Sequence, residues 1–241
     1  MSLEQLRHRY DQHYASLLDG ARPAVAERVV GGDFEAVGAL EFYALKAHGL
    51  QPDHLVVDVG CGTGRLACQL VRRGHQRYVG FDLVPAAVDY ARNLCGRPDW
   101  RFAACDGLQI DVPDEQADFV CFFSVFTHIA HEHTYLYFRE ARRVLKSGGL
   151  VVFSFLEFSI ATHWAQFDAA VQGFGTNSEP IVFLDRTAIR GFAMRLGFEV
   201  LAIVDGDVPT FPIDEDIVAS DGRRMQGRGY LGQSLAVLRK L

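Results

Sequence analysis

Short apolar runs alternate with amphipathic stretches through the middle of the chain. The runs are Leu55–Val59, Tyr78–Phe81, Trp100–Ala103, Phe119–Phe123 and Leu150–Phe155, with helix-like segments at Arg65–Arg73, Ala86–Cys95 and His133–Leu145. Strands buried on both faces read as continuous apolar runs, and helices between them connect parallel strands. Right-handed crossovers then place helices on both faces of the sheet. The pattern predicts an α/β fold with a doubly wound, mostly parallel sheet.

The regions on either side of this alternation follow other patterns. Before it, helical spacing predicts an amino-terminal helix ending at Gly20, and a second helix over Phe34–Ala47. We therefore divide the chain into a helical cap or lid at 1–33 and a main domain at 34–241. After Phe155, the aromatic-rich residues 156–185 break the rhythm and are predicted to form an insertion on the substrate side, above the carboxyl edge of the sheet.

The remainder of the chain predicts a reversed last strand. A helix over Arg186–Leu196 ends at Gly197, which suits the residue after a helix. A strand over Phe198–Val204, a loop to about Gly229 and a final strand over Leu231–Leu238 follow. Two strands without a helix between them indicate an antiparallel hairpin at the sheet edge. Together these elements make a seven-stranded sheet.

Composition limits the partners and the compartment. No run of eighteen apolar residues exists, and the polar start of the chain is unlike a signal peptide. The five cysteines form no CxxC pair, which favours reduced thiols and a cytoplasmic location. Net charge is −6 and basic residues are scattered, whereas nucleic-acid binders concentrate them on one face. We expect a small-molecule partner rather than nucleic acid; an exposed sheet edge or aromatic lid could support a homodimer.

A glycine-rich turn follows the first predicted strand, in the sequence VVDVGCGTGRLA. Its glycines, Gly60, Gly62 and Gly64, form G-x-G-x-G rather than G-x-G-x-x-G, and no Lys-Ser/Thr pair of a P-loop follows. By itself the turn is also compatible with a simple strand-to-helix connection.

Three acids at successive strand ends make the turn more specific. Asp58 precedes the glycines and would repel a pyrophosphate, but would attract a cation or ammonium. Asp82 ends the second strand, where it can accept hydrogen bonds from ribose hydroxyls, and Asp106 ends the third, where it can meet the adenine amine. The three acids fit a ligand with a ribose, an adenine and a cationic amino-acid tail but no phosphate.

At these residues the chain resembles the class I S-adenosylmethionine-dependent methyltransferases. The resemblance covers about residues 34–239 and includes DFVCFFSVFTHI as the fourth strand and RVLKSGGLVVFSF before the fifth. It implies S-adenosyl-L-methionine as the methyl donor and S-adenosyl-L-homocysteine as its product. The cofactor-binding residues that it implies are Asp58, Gly60, Cys61, Gly62, Gly64, Asp82, Leu83, Asp106, Gly107, Phe123 and Ser124.

His128 is the candidate catalytic residue. It follows the fourth strand, where a neutral imidazole could accept a hydroxyl proton, although it could instead cap the next helix or contact the cofactor. His128, His131 and His133 have the spacing H-x-x-H-x-H, but their side chains would leave a helix start on different faces. We predict no metal site there.

Several other polar and aromatic residues keep two interpretations. Arg65 could reach the cofactor or lie on a helix surface, and Tyr10 and Tyr14 could close a lid or pack a helix. Gln233, Asp205 and Asp207 are interpreted as ordinary loop polarity near the cleft. The aromatic residues of the insertion could line an acceptor pocket or form a satellite core.

The expected activity is metal-independent methyl transfer to oxygen, nitrogen or carbon of a small molecule. The fourth strand lacks the Asn/Asp-Pro-Pro-aromatic pattern of adenine and glutamine-amide enzymes, and the chain has neither the Pro-Cys pair of cytosine-5 enzymes nor the Asp-Asn pair of catechol-type enzymes. The competing interpretations are an NAD-dependent oxidoreductase and a non-catalytic S-adenosylmethionine-binding protein, because fold alone does not establish function.

Overall fold

The computed structural model describes His8 and residues 32–105, 107–173 and 181–241. The first strands are β1 (Leu55–Val59), β2 (Arg77–Asp82), β3 (Arg101–Ala104), β4 (Ala117–Phe122) and β5 (Leu145–Phe155). The helices are α1 (Phe34–Ala47), α2 (Arg65–Arg72), α3 (Pro85–Cys95), α4 (His131–Val144), α5 (Ala161–Gln172) and α6 (Arg186–Leu196). The remaining strands are β6 (Phe198–Val204), β7 (Phe211–Pro212), β8 (Ile217–Val218), β9 (Arg224–Met225), β10 (Arg228–Gly229) and β11 (Ser234–Lys240).

Seven of these strands form one sheet in the order β3-β2-β1-β4-β5-β11-β6. Strands β1 to β5 pair in parallel, and β11 pairs antiparallel with both β5 and β6. The doubly wound sheet with a reversed last strand is thereby confirmed. The antiparallel pair predicted at the sheet edge is also confirmed: β6 forms the edge, and β11 lies between β6 and β5.

Alternate strand residues supply two cores on opposite faces of the sheet. Val56 packs in a cluster with side chains of α1, α2 and α3, whereas Val57 packs in a cluster with side chains of α4 and α6. This follows from the two-residue repeat of a strand, which sends successive side chains to opposite faces. Both faces are covered, which explains why the strands are apolar throughout.

The segments between β5 and β11 contain structure that the sequence patterns did not predict. Helix α5 begins soon after β5, and His163 is its one buried residue among those described. Residues 205–233 hold two short antiparallel ladders, β7 with β10 and β8 with β9. The last strand starts at Ser234 rather than Leu231, because the backbone N–H of Gly232 donates outside the ladder to the carbonyl of Gly206 over 2.8 Å.

Some predictions fall outside the described residues. The amino-terminal helix, with Tyr10 and Tyr14, and the segment 174–180 of the insertion belong to these. The boundaries of the cap and of the main domain therefore stay predictions. None of the helices that the structure describes is both long enough and apolar enough to cross a membrane.

Candidate active site

The glycine turn connects β1 to α2 at the carboxyl edge of the sheet. Gly60, Gly62 and Gly64 have φ values of +82°, +52° and +93°, which glycine adopts at little cost. A Cβ on Gly60 would lie 2.4 Å from Cγ2 of Val125, so the turn also packs closely against the segment after β4. Glycine is needed here for backbone conformation and for space.

The amide groups of this turn are bound within the protein. The N–H groups of Gly60 and Cys61 donate to the carbonyl of Phe81 over 2.7 and 2.9 Å, and the N–H of Gly62 donates to Asp82 Oδ2 over 2.8 Å. A phosphate-binding loop turns such donors toward the anion. This turn uses three of them internally, which agrees with a ligand that approaches it without phosphate.

Asp82 lies at the end of β2 and holds the neighbouring backbone. Its Oδ1 accepts the N–H of Val84 over 2.9 Å, while its Oδ2 accepts that of Gly62. Burial raises the pKa of Asp82 above its ordinary value, although these backbone hydrogen bonds lower it. Each carboxylate oxygen can accept two hydrogen bonds, so both retain capacity for a ligand hydroxyl.

Asp58, in β1, is buried below the surface of the site. The Tyr78 hydroxyl donates to its Oδ2 over 2.8 Å. Burial raises the pKa of Asp58 to about 7; the negative charge of Glu41 adds to the rise, and the Tyr78 hydrogen bond opposes it. When ionised, a buried carboxylate attracts a cation that enters the site more strongly than an exposed one would.

A buried ion pair lies beside Asp58. Arg65, the first residue of α2, places Nη2 2.5 Å from Oε1 of Glu41, which comes from α1. Burial raises the pKa of Glu41, against the lowering effect of Arg65. The interpretation of Arg65 as a helix-surface residue is therefore wrong: its side chain is buried, and it joins α1 to the glycine turn.

The adenine side of the predicted site is described only in part. Leu83 and Gly107 are half-buried, and a Cβ on Gly107 would meet no atom within 4 Å among the described residues. Leu83 packs at the border of the core shared with α4 and α6. Asp106 lies outside the described residues. These assignments remain predictions.

A cavity of about 390 Å³ lies beyond the ends of β4 and β5, and Arg65, the first residue after the glycine turn, is among its lining residues. Phe123, Ser124 and His128 line it after β4, and Glu41 and Arg65 line it from the side of α1 and α2. Further lining residues lie near the start of β11 and in the segment before it, namely Ala219, Arg223, Met225, Tyr230, Leu231, Gly232 and Gln233. Ser124 has φ of +59°, an uncommon backbone conformation for a residue other than glycine.

The three histidines of H-x-x-H-x-H are separated by the structure. His128 lines the cavity, whereas His131 and His133 lie in the first turn of α4, and the His131 ring is 2.9 Å from the carbonyl of Phe183. Within the described ranges, no three His, Cys, Asp or Glu side chains are arranged to hold a metal ion. Metal independence stays a prediction about the reaction.

Three features of the site escaped the sequence patterns. The sequence pattern predicts Tyr78 only as a strand residue and Glu41 only as a helix residue. The position of Gln233 indicates ordinary loop polarity, but its Oε1 lies 2.7 Å from Ser154 Oγ and it lines the cavity. A polar residue within an otherwise apolar strand or helix face, such as Glu41, is the one signal that could have indicated such contacts.

Comparison with known proteins agrees with this geometry. Residues 57–153 match the model of a family described as "Methyltransferase domain". A ribosomal protein L11 methyltransferase of Clostridium botulinum is 33% identical over 119 residues, which cover 49% of this chain. The match spans only 34% of that relative's length.

Solved structures share the fold at low sequence identity. Magnesium protoporphyrin IX methyltransferase from Synechocystis PCC 6803, solved with bound SAH, has a TM-score of 0.68 and 14% identity over 100% of both chains. A SAM-dependent methyltransferase from Anabaena variabilis has a TM-score of 0.64 and 15% identity, with 98% of this chain and 95% of that chain covered.

Proposed function

Because the chain contains a class I S-adenosylmethionine-dependent methyltransferase domain, we propose that it methylates oxygen or nitrogen of a small molecule without a metal ion. One observation carries this proposal: a cavity of about 390 Å³ is lined by Arg65, the first residue after the glycine turn, and by Phe123 and Ser124, which follow β4. A donor and an acceptor can thus be bound next to each other. Holding reactants in this way can supply roughly 7–11 kcal/mol of a reaction barrier.

The residues on the donor side fit S-adenosyl-L-methionine. Asp82 would accept the ribose hydroxyls, Asp58 would face the ammonium group, and Leu83, Asp106 and Gly107 would surround the adenine. Gly60, Cys61, Gly62 and Gly64 would shape the pocket for the methionine portion, with Phe123 and Ser124 at its border. When bound, the cofactor supplies a methyl group activated by a positively charged sulfur.

His128 is the group that we propose as general base for a hydroxyl acceptor. It lines the cavity, and its backbone N–H donates to the carbonyl of Val125 over 3.0 Å, which positions it just after β4. His128→Ala should lower kcat by about 10²–10⁴-fold, because that is the usual contribution of a general base, with little change in cofactor affinity. His133→Ala is the matched control. Equal kcat for His128→Ala and the wild type would exclude the proposed role.

A protein acceptor is the second candidate, and the name of the L11 methyltransferase relative favours it. The match covers only 34% of that relative's length, which weakens the argument for a protein acceptor. The cavity is lined on several sides by segments of this chain, which favours a small acceptor. Incubation with tritiated S-adenosylmethionine and a cell extract, separated at about 1 kDa, decides between them. Label in a new small-molecule product, separated by chromatography from unreacted S-adenosylmethionine and absent without the enzyme, supports the first candidate, and label in protein supports the second.

Cofactor binding is tested by thermal unfolding with S-adenosylmethionine, S-adenosylhomocysteine and NAD. A ligand at about a hundred times its Kd should stabilise the fold by roughly 2.7 kcal/mol. Asp82→Ala should weaken the binding of both sulfur nucleosides, with Asp89→Ala, an exposed acid of α3, as the matched control. The proposal fails if neither sulfur nucleoside shifts the transition, and the ribose assignment fails if Asp82→Ala binds as the wild type does.

A further inference from the structure

A chain of hydrogen bonds fixes the side-chain amide of Gln233. The backbone N–H of Ser124 donates to Ser154 Oγ over 2.8 Å, and Ser154 Oγ donates to Gln233 Oε1 over 2.7 Å. The Ser124 hydroxyl lies 3.4 Å from the same amide oxygen. Because an N–H can only donate, the hydroxyl proton of Ser154 is left for Gln233, and the amide presents its oxygen to the two serines.

The amide nitrogen of Gln233 therefore faces away from the serines. This nitrogen makes no hydrogen bond to any residue in the described part of the chain. Gln233, Ser124 and Ser154 all line the cavity. A donor with unused capacity at a cavity wall is a group that a ligand oxygen can satisfy.

The backbone on both sides of Gln233 is held in place. His163 Nδ1 accepts the N–H of Glu157, so its Nε2 carries the proton and donates to the carbonyl of Gly232 over 3.1 Å. Ser234 donates its hydroxyl to the buried carboxylate of Glu157, which also binds Arg186 at 2.6 Å. A donor supported in this way is positioned before a ligand arrives.

The acidic groups of the same cavity wall are already bound. Asp33 caps α1 by accepting the N–H of Ala36 over 2.8 Å, and its other oxygen accepts the N–H of Ser220 over 2.5 Å. Glu41 is paired with Arg65. N–H donors on the same wall come from Gln233 and from Arg223, whose Nε donates to Asp221 Oδ2 over 2.6 Å. This composition suits an oxygen-rich anion better than an amine.

We infer that the Gln233 amide anchors a carboxylate of the methyl acceptor, an inference that rests on the function proposed above. The site selects acceptors that carry a carboxylate and orients them against the segment after β4, which contacts the glycine turn through Val125. Gln233 is a positioning and specificity residue: it binds the acceptor, and it moves no proton.

Benzoate, benzyl alcohol and benzylamine are suitable probes, because they share one ring and differ in charge. Each is titrated into ¹⁵N-labelled protein saturated with S-adenosylhomocysteine, while the side-chain N–H₂ signal of Gln233 is followed. That signal is assigned by its loss in Gln233→Met. Benzoate should shift it and bind more tightly than the other two probes. Gln233→Glu should bind benzoate at least about tenfold more weakly, because a donor to an anion is replaced by a second negative charge.

Gln166→Glu is the matched control, because Gln166 is an exposed amide on the same cavity wall. It should weaken benzoate binding far less than Gln233→Glu does. The inference is overturned if benzoate leaves the Gln233 signal unmoved, if benzylamine shifts it as strongly, or if Gln233→Glu and Gln233→Met bind benzoate as the wild type does. A shift caused by S-adenosylhomocysteine alone would assign the amide to the methionine carboxylate and also overturns it. Failure of the wild type to bind S-adenosylhomocysteine would instead refute the proposed function.

Discussion

Replacing Asp58 by Asn should change how the stability of the protein depends on pH. Burial raises the pKa of Asp58 to about 7 from its ordinary value of 3.8. Asn removes the titrating group and keeps an oxygen that can accept the Tyr78 hydroxyl, so the hydrogen bond at 2.8 Å can persist. The substitution therefore isolates the effect of the charge.

The sign and size follow from the difference between the folded and unfolded states. Below about pH 4 both states hold the proton, and the contribution of Asp58 to stability is fully present. It is lost as pH rises from about 4 through 7, because the folded state must then ionise a buried group. A shift of about 3 pKa units at 1.36 kcal/mol each gives an upper limit of about 4 kcal/mol.

Urea unfolding of both proteins from about pH 5 to pH 8.5 measures this effect. The free energy of unfolding of Asp58→Asn, relative to the wild type, should rise by a few kcal/mol across this range. Asp89→Asn, which changes an exposed acid of α3, should show no such trend. A difference between Asp58→Asn and the wild type that stays constant with pH would show that the folded state does not hold the Asp58 proton.

Two further substitutions test the packing around the turn. Arg65→Met should destabilise the fold by about 3–5 kcal/mol in chemical unfolding, because Glu41 would be left buried without its partner. Adding Glu41→Leu should recover part of this loss of stability. If the double variant is as unstable as Arg65→Met, the explanation is wrong. Gly60→Ala should cost about 2–4 kcal/mol, because φ is +82° and the new Cβ would lie 2.4 Å from Val125 Cγ2. Val125→Ala in the same chain should return the steric part, and a full loss that persists would place the strain in the backbone alone.

The sequence predicted the sheet well because its signals are local. Each buried strand is a continuous apolar run. The glycine turn directly follows β1, Asp58 lies within that strand, and Asp82 is the last residue of β2. The predicted strands from Leu55–Val59 to Phe198–Val204 agree with the structure to within two residues at every end except the start of β5. The start of β5 was missed by five residues, because it runs through Gly148 and Gly149, which rarely occur within strands.

The remaining features depend on contacts between distant parts of the chain. Glu41 and Arg65 are 24 positions apart, and Ser154 and Gln233 are 79 positions apart. No local pattern distinguishes a glutamate that faces solvent from one that meets an arginine on another helix. The small ladders of residues 205–233 are two residues long on each side, too short to give a periodic signal.

The position of β11 between β5 and β6 has a consequence for how the sheet is assembled. Residues 234–240 are the last residues of the sheet to be synthesised, yet they lie between β5 and β6. The edge of β5 that faces away from β4, and the edge of β6 that faces β5, have no partner other than β11 in the sheet. Until they arrive, β5 and β6 expose unpaired backbone edges, which can pair with other chains. The sheet can therefore close only after residues 234–240 have left the ribosome, and until then these two edges are open to pairing with other chains.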